Sequence, residues 1–335
     1  MNPRRTERKT NGNWIKVILH HSAFILCCAL AAAVCAQQYP SRPVRMIIPS
    51  GAGGITDILG RILAQKLSES TGQQFVIDNR PGASGIVGSQ IVAKSAPDGY
   101  TLLMVFPSHP VNLSLFRDIP YDTVTAFAPI TMVSAVSPVL IVSSQFPARS
   151  VQELITIAKE KPGQLNHGGV GGGSMGSLAA ELFRSMTGIR IQQVVYKGAP
   201  QILTALISGE VQLYFIGSAG TVVPHAKSGR VRALGVGSRQ RLAVLPDVPP
   251  IADTLPGFEA RGWNGILAPA GTPRPVIDLL HLEIVKIVRS PEFLQALTAE
   301  GALPVGNTPT EFGAIIQADV RKWAKVIKES GIKPE

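Results

Sequence analysis

Cysteine is almost absent from this 335-residue chain: Cys27, Cys28 and Cys35 all fall within the first 36 residues. The remaining sequence therefore offers no disulfide, no thiol nucleophile and no cysteine metal site. Aromatic residues make up only 6% of the chain and charged residues 16%. Nucleic-acid binding requires a clustered basic face with stacking aromatics. Because the basic residues here are scattered, we expect no nucleic-acid partner.

Histidine is also scarce, and its six positions show no spacing typical of metal ligands. We therefore expect no metal and no other cofactor. Disorder is excluded as the main state, since 45% of the residues are hydrophobic. The length is sufficient for two domains, each with a core of its own.

The first 36 residues have the order of a secretory signal peptide. Five basic residues and one acidic residue occur in residues 1–16, and an uncharged, mostly apolar stretch of 15 residues follows from Ser22 to Ala36. That stretch is shorter than the roughly 20 residues that span a bilayer, which disfavours the alternative of an uncleaved anchor. We predict cleavage near Ala36 and a periplasmic location, since an exported chain without disulfides fits a bacterial periplasm better than an animal secretion. Cleavage would lower the formal charge from +10 to +6.

Short apolar runs alternate with amphipathic segments along the rest of the chain. Arg45–Pro49 predicts a strand, and Thr56–Thr71 predicts a helix with an apolar face. Continued alternation predicts an α/β protein in which mostly parallel sheets are flanked by helices. In such sheets ligands bind at the carboxyl ends of strands, in the loops that lead into helices.

Three loops of that kind are rich in glycine or serine: residues 49–57, 78–85 and 166–177. Glycine lets successive backbone N–H groups converge on an anion, and a helix N-terminus adds partial positive charge. Ordinary tight turns with helix caps are the structural alternative, which is equally strong for the second loop. The third loop gives the strongest indication of a ligand, because residues 168–176 contain six glycines and such a segment is costly in chain entropy.

Two enzyme patterns overlap the third loop. Gly172–Gly176 fits the G-x-S-x-G elbow with Ser174 as nucleophile, so a secreted serine hydrolase is an alternative function. No downstream histidine and acid are specified as its partners. Gly171–Gly176 also fits the dinucleotide pattern G-x-G-x-x-G, but no acidic residue that could bind a ribose lies between Glu181 and Glu210.

Six segments resemble one family, in the same order along the chain. They are Tyr39–Arg45, Gly53–Asp57, Asn79–Gly85, Ala96–Leu103, Tyr196–Gly198 and Leu245–Pro249. Each segment is a weak signal alone, but together they are specific. Over essentially all of the sequence after the leader, the chain resembles the Bug family, the extracytoplasmic solute receptors of tripartite tricarboxylate transport.

The resemblance implies a two-lobed periplasmic-binding-protein (Venus flytrap) fold, with lobe 1 formed by residues 38–142 and 265–335 and lobe 2 by residues 143–264. It implies a monomeric binding protein rather than an enzyme. Such a receptor captures a small carboxylate-type metabolite between its lobes and delivers it to a membrane permease, or, as an alternative, serves a signalling sensor. The ligand-binding residues that the resemblance implies are Ser50, Ala52, Gly53, Gly54, Thr56, Asp57, Ala83, Ser84, Gly85, Ser108, His109, Gly171, Ser174, Met175 and Tyr196.

The chain departs from the family pattern after the strand that ends at Tyr214 and Phe215. Many members carry an aspartate there, which can meet an amino group, whereas this chain has Ile216, Gly217 and Ser218. We therefore predict a ligand without a positively charged amine.

Overall fold

The structure is a computed structural model of the chain, and it describes residues 39–170, 173–196 and 198–329. The predicted signal peptide, residues 1–36, lies outside the described residues, as does Gly171. From Arg42 onwards the described residues form one compact unit. None of their helices is both long enough and apolar enough to cross a membrane.

Strands and helices alternate along the described chain. The strands are β1 (Val44–Ile48), β2 (Phe75–Asn79), β3 (Thr101–Val105), β4 (Phe127–Val136), β5 (Val139–Ser143), β6 (Leu165–Gly169), β7 (Ile191–Val195), β8 (Leu213–Ile216), β9 (Val231–Val236), β10 (Gly262–Pro269) and β11 (Ala302–Pro304). The helices are α1 (Ile55–Thr71), α2 (Ile86–Ala93), α3 (Ser108–Leu115), α4 (Val151–Glu160), α5 (Met175–Thr187), α6 (Ala199–Ser208), α7 (Ala219–Lys227), α8 (Arg274–Val288), α9 (Pro291–Ala299) and α10 (Pro309–Glu329).

Helix α1 illustrates how the pattern determines the element. Leu59, Leu63 and Leu67 recur every four residues and are fully buried, so they form the core-facing stripe. The helix ends at Gly72, whose positive φ of 72° suits a left-handed cap and whose N–H donates to Ser68 O at 3.1 Å. The helix predicted over Thr56–Thr71 is confirmed, with its start one residue earlier.

Two separate sheets form the cores of two lobes. The first has the order β11-β4-β10-β3-β1-β2 and the second the order β7-β6-β8-β5-β9. The two-lobed α/β fold is confirmed, but the sheets are mixed rather than mostly parallel. Strand β10 runs antiparallel to β3 and β4, and β5 runs antiparallel to β8 and β9. The chain enters each lobe from the opposite lobe along one of these two strands. Each strand therefore runs antiparallel to the strands beside it.

Strand pairing shifts both predicted lobe boundaries. Strands β4 and β5 are separated only by Ser137 and Pro138, yet they belong to different sheets. Residues 139–142 therefore join the second lobe, although the sequence prediction had assigned them to the first. Strand β10, by which the chain returns to the first lobe, begins at Gly262, three residues before the predicted boundary at residue 265. Two successive apolar strands give no sign in the sequence that the chain has changed sheets between them.

The C-terminal helix α10 connects the two lobes. Its Trp323, Val326 and Ile327 are buried in the same hydrophobic cluster as Phe183 and Phe258 of the second lobe. In the same helix, Lys322 Nζ donates to the carbonyl oxygen of Glu259 at 2.6 Å. The segment predicted for lobe 1 alone therefore also packs on lobe 2.

Candidate ligand-binding cleft

A cavity of about 430 Å³ is bounded by both lobes. Its size falls within the range of small-molecule sites, roughly 300–1,000 Å³. The first lobe lines it with Gly53, Gly54, Ile55, Thr56, Ile58, Phe106, Pro107, Val136, Gly262, Trp263, Asn264 and Glu300. The second lobe lines it with Gly173, Ser174, Met175, Ala199, Tyr214, Ile216, Gly217, Ser218 and Thr221.

Among the described residues, helices α1, α5, α6 and α7 begin at this cavity. Two of them have side-chain caps: Ser174 Oγ accepts the N–H of Ser177 at 3.3 Å, and Ser218 Oγ accepts the N–H of Thr221 at 3.4 Å. Helices α1 and α6 instead start after glycines, which have no side chain to cap them. Since the first N–H groups of a helix have no partner within the helix, and α6 has a proline without an N–H in its first turn, α1 presents the N-terminus better suited to an anion.

A buried carboxylate shapes the loop that leads into α1. Asp57 is 3% exposed, and its carboxylate accepts the Gly53 N–H at 3.0 Å and the Asn79 amide at 3.0 Å. Arg61, one turn further along the helix, donates to the same carboxylate at 3.0 Å. The Asn79 amide also donates to Ser50 O at 3.2 Å, which links the loop to the end of β2.

The electrostatics of Asp57 agree with this structural role. Burial would raise the pKa of its carboxyl, but hydrogen bonds from Arg61, Gly53 and Asn79 outweigh burial and hold the pKa below its ordinary value of 3.8. The carboxylate is thus ionised and engaged on several sides. We conclude that it positions the loop, of which Gly53 and Gly54 line the cavity.

Thr56 is fixed by a contact with a distant part of the chain. Its hydroxyl donates to Asn264 Oδ1 at 2.7 Å across 208 sequence positions, and Asn264 Nδ2 donates to Ser134 Oγ at 3.0 Å. Asn264 is 2% exposed, so these bonds orient a buried amide at the cavity wall. The first turn of α1 is therefore tied to β10 and β4.

Aromatic residues form an apolar part of the wall. Phe106, Tyr214 and Trp263 all line the cavity. Burial raises the pKa of the Tyr214 hydroxyl to about 12, so it is neutral. Trp263 Nε1 donates to Asp319 Oδ2 at 2.7 Å, which satisfies the indole N–H and fixes the ring.

The two lobes touch at one edge of the cavity. Ser218 Oγ of the second lobe donates to Glu300 Oε2 of the first at 2.6 Å. A Cβ atom at Gly220 would lie 2.1 Å from the Ala299 carbonyl oxygen, so this contact requires glycine. Sequence reasoning missed Glu300, because no motif connects a helix end with a loop 82 positions earlier.

Five of the predicted ligand-binding residues meet at the cavity: Gly53, Gly54, Thr56, Ser174 and Met175. Ser50, Ala52 and Asp57 belong to the same loop without lining this cavity. Six of the cavity residues that sequence reasoning missed come from β10 and from the start of α7. Of these, Gly217 and Ser218 appear in the sequence analysis only as a departure from the family pattern.

The second loop approaches the third from the other lobe. Ala83 and Ser84 have positive φ angles of 44° and 52°, uncommon for residues other than glycine, and Gly85 follows at 92°. Asn112 Nδ2 donates to Ser84 O at 3.1 Å, and Asn112 Oδ1 lies 3.9 Å from where a Cβ atom on Gly173 would be. These three predicted residues do not line the cavity described above, and their ligand role stays a prediction.

The structure corrects the prediction for the side chain of His109. This imidazole is 2% exposed, hydrogen-bonded through Nε2 to Thr123 O at 3.0 Å, and packed against the rings of Tyr121 and Phe127. Burial lowers its pKa to about 4, so it is neutral. Its neighbour Ser108, which starts α3, is 5% exposed. His109 therefore stabilises the first lobe instead of facing a ligand.

Tyr196 is occupied elsewhere, since its hydroxyl donates to Glu210 Oε1 at 2.8 Å and its side chain packs on the second-lobe core. It does not line the cavity.

Three glycines of the segment predicted as the third loop belong to a strand or a helix instead. Gly168 and Gly169 lie in β6, and Gly176 lies in α5, where a Cβ atom would be 2.2 Å from the Phe215 carbonyl oxygen. Gly176 thus allows the helix to pack on β8. Ser174 donates to Ser177 Oγ at 3.0 Å, and among the described residues no histidine is its hydrogen-bond partner.

With this geometry in view, comparisons with known proteins identify the family. The sequence matches the family described as "Tripartite tricarboxylate transporter family receptor" over residues 59–332. The chain belongs to this family. It is 37% identical to Protein BugT of Bordetella pertussis, over 96% of this chain and 99% of that protein. The predicted resemblance to the Bug family is confirmed.

Solved structures of the same type share the fold. The structure of R. palustris Rpa4515 with adipate is 36% identical, with a TM-score of 0.79 and coverage of 89% of this chain and 100% of that one. The structure of the periplasmic binding protein BugD is 30% identical, with a TM-score of 0.76 and coverage of 89% and 100%. The family is thus one of periplasmic solute-binding receptors.

Proposed function

We propose that this chain is a periplasmic, non-catalytic receptor that captures a small carboxylate-type metabolite for a tripartite tricarboxylate transporter. The single observation that carries the proposal is the cavity between the lobes, into which the uncapped N-terminus of α1 opens. A carboxylate fits this N-terminus by charge and by hydrogen bonding. Adipate in the related Rpa4515 structure supports the same class of ligand.

Binding would couple to lobe closure. A ligand that contacts both lobes favours the closed state only through the contacts that closure adds. In this chain the added contacts would come from α1 and β10 on one side and from α5 and α7 on the other. The closed receptor would then dock, as a monomer, on a membrane permease.

Several observations favour binding over hydrolysis. The hydroxyl of Ser174 caps α5 and donates to Ser177, and Gly176 of the elbow pattern is explained by packing against Phe215. A nucleophilic serine needs a base within hydrogen-bonding reach. We therefore assign Ser174 to the cavity wall and not to catalysis.

A thermal-shift screen of the exported, purified protein tests this proposal. The panel contains mono-, di- and tricarboxylates, amino acids and neutral amides. A ligand that binds only the native state raises the unfolding midpoint by mass action. We expect a shift with carboxylates and none with the neutral amides. A response confined to amides, or to cationic amino acids, would contradict the proposal. Mass spectrometry of the denatured sample detects a ligand that co-purifies, and mass analysis of the intact protein checks cleavage near Ala36.

A further inference from the structure

Glu300 is the one charged side chain among the described residues that line the cavity. No lysine or arginine accompanies it there. The wall that leads to it is largely apolar and includes Ile216 and Trp263. Among the described residues of the cavity wall, Glu300 is therefore the one source of negative charge.

The carboxylate of Glu300 lies at the start of α7, which belongs to the opposite lobe. Its Oε2 accepts the Ser218 hydroxyl at 2.6 Å, and Ser218 is the N-cap of that helix. Close packing of Ala299 against Gly220 holds the two segments together. A helix N-terminus favours an anion, and here the protein supplies that anion itself. A carboxylate of the ligand is thus excluded from this end of the cavity and directed to the N-terminus of α1.

The same carboxylate selects against a second negative charge. A dicarboxylate with one end at α1 and its other end near Glu300 would bring like charges together, and the described residues of the cavity wall include no lysine or arginine to compensate them. A neutral hydroxyl or amide donor, in contrast, can hydrogen-bond to Glu300. An ammonium group gains less, because it would lose its hydration while the Ser218 hydroxyl already occupies one oxygen of Glu300.

We propose that Glu300 is a specificity-determining residue that restricts this receptor to ligands with one carboxylate and a neutral hydrogen-bond donor at the far end. The inference rests on the proposed function, and it separates this chain from a relative whose structure contains the dicarboxylate adipate. It also supports the prediction of a ligand without a charged amine, on grounds different from the sequence motif.

Calorimetric titration of the exported protein with matched probes tests the inference. The probes are the straight-chain dicarboxylates from malonate to suberate, the half-amide of each, and 6-aminohexanoate. We expect the best half-amide to bind at least tenfold more tightly than its dicarboxylate and more tightly than 6-aminohexanoate. In Glu300→Gln the amide oxygen can still accept the Ser218 hydroxyl, and the preference for the half-amide should fall to threefold or less.

The control is Glu69→Gln, which removes one negative charge from an exposed site in α1 and should leave the preference unchanged. Equal or tighter binding of the dicarboxylate by the unaltered protein would overturn the inference. An unchanged preference in Glu300→Gln, or tighter binding of 6-aminohexanoate than of the half-amide, would do the same. Failure of every probe with the unaltered protein and with Glu300→Gln would instead contradict the proposed carboxylate receptor itself.

Discussion

Replacing Asp57 by alanine should destabilise the protein and loosen the loop that leads into α1. The substitution removes the acceptor of the Gly53 N–H, the Asn79 amide and the Arg61 guanidinium. A hydrogen bond to a charged group contributes about 1.5–3 kcal/mol, but Arg61 is half exposed and regains water. We therefore expect the free energy of unfolding to fall by about 2–3 kcal/mol in total.

Asp278→Ala is the matched control. Asp278 pairs with Arg274 at the same four-residue helical spacing, but both side chains are exposed, at 47% and 70%. Exposed pairs contribute roughly 0–1 kcal/mol, so this change should cost less than about 1 kcal/mol. Urea denaturation of both variants measures the difference. A loss below about 1 kcal/mol for Asp57→Ala would refute the structural role of this carboxylate.

The pH dependence of stability gives a second test of Asp57. Its pKa in the folded state lies below the ordinary value of 3.8, because hydrogen bonds outweigh burial. Its stabilising contribution is therefore complete above pH 3.8 and is lost as the pH falls through the folded-state pKa. In Asp57→Asn the free energy of unfolding should therefore fall less as the pH is lowered through this range. A fall identical to that of the unaltered protein would contradict the assignment.

Two further substitutions test the packing around the cavity. Burial raises the pKa of Asp319, so the folded protein favours the protonated carboxyl, and stability falls as the pH rises through the folded-state pKa. Asp319→Asn keeps an acceptor for Trp263 and should be at least as stable at pH 7 in urea denaturation, whereas a loss above about 1 kcal/mol would contradict this. Gly176→Ala places a Cβ atom 2.2 Å from the Phe215 carbonyl oxygen and should cost about 1–3 kcal/mol or more by the same assay. At Gly51 nothing lies within 4 Å of the added atom, so Gly51→Ala should be neutral, and equal losses for the two glycines would refute the packing argument.

The parts of this protein that sequence reasoning predicted are those determined by local patterns. The spacing of Leu59, Leu63 and Leu67 specifies α1, and the glycine-rich segment before it specifies a turn into a helix N-terminus. Ile58 is also apolar and lies next to this stripe, but it is 38% exposed and lines the cavity instead. The spacing of apolar residues thus predicts which residues of a helix face the core. It does not predict how far neighbouring elements cover that apolar face.

The parts that were missed depend on contacts between distant segments. Glu300 reaches Ser218 across 82 positions, and Thr56 reaches Asn264 across 208. His109 follows β3 in sequence as a ligand-binding residue could, yet its ring turns into the core towards Thr123. The side to which such a residue points is decided by the packing of the whole lobe, and a short motif does not contain that information.

The central claim is that backbone N–H groups at the start of α1 hold the carboxylate, and Ile55→Pro tests it most directly. Ile55 is the first residue of α1, where proline is compatible with a helix but has no N–H. Gly54 already has the extended conformation, with φ −82° and ψ 167°, that a residue before proline prefers.

The measurement is the affinity of Ile55→Pro for the best carboxylate of the screen, compared with Ile55→Val, which keeps the N–H. We predict that affinity falls at least tenfold in Ile55→Pro, while both variants retain the unfolding midpoint of the unaltered protein to within a few degrees. Equal affinities of the two variants, with both folded, would contradict the claim that this helix N-terminus binds the ligand.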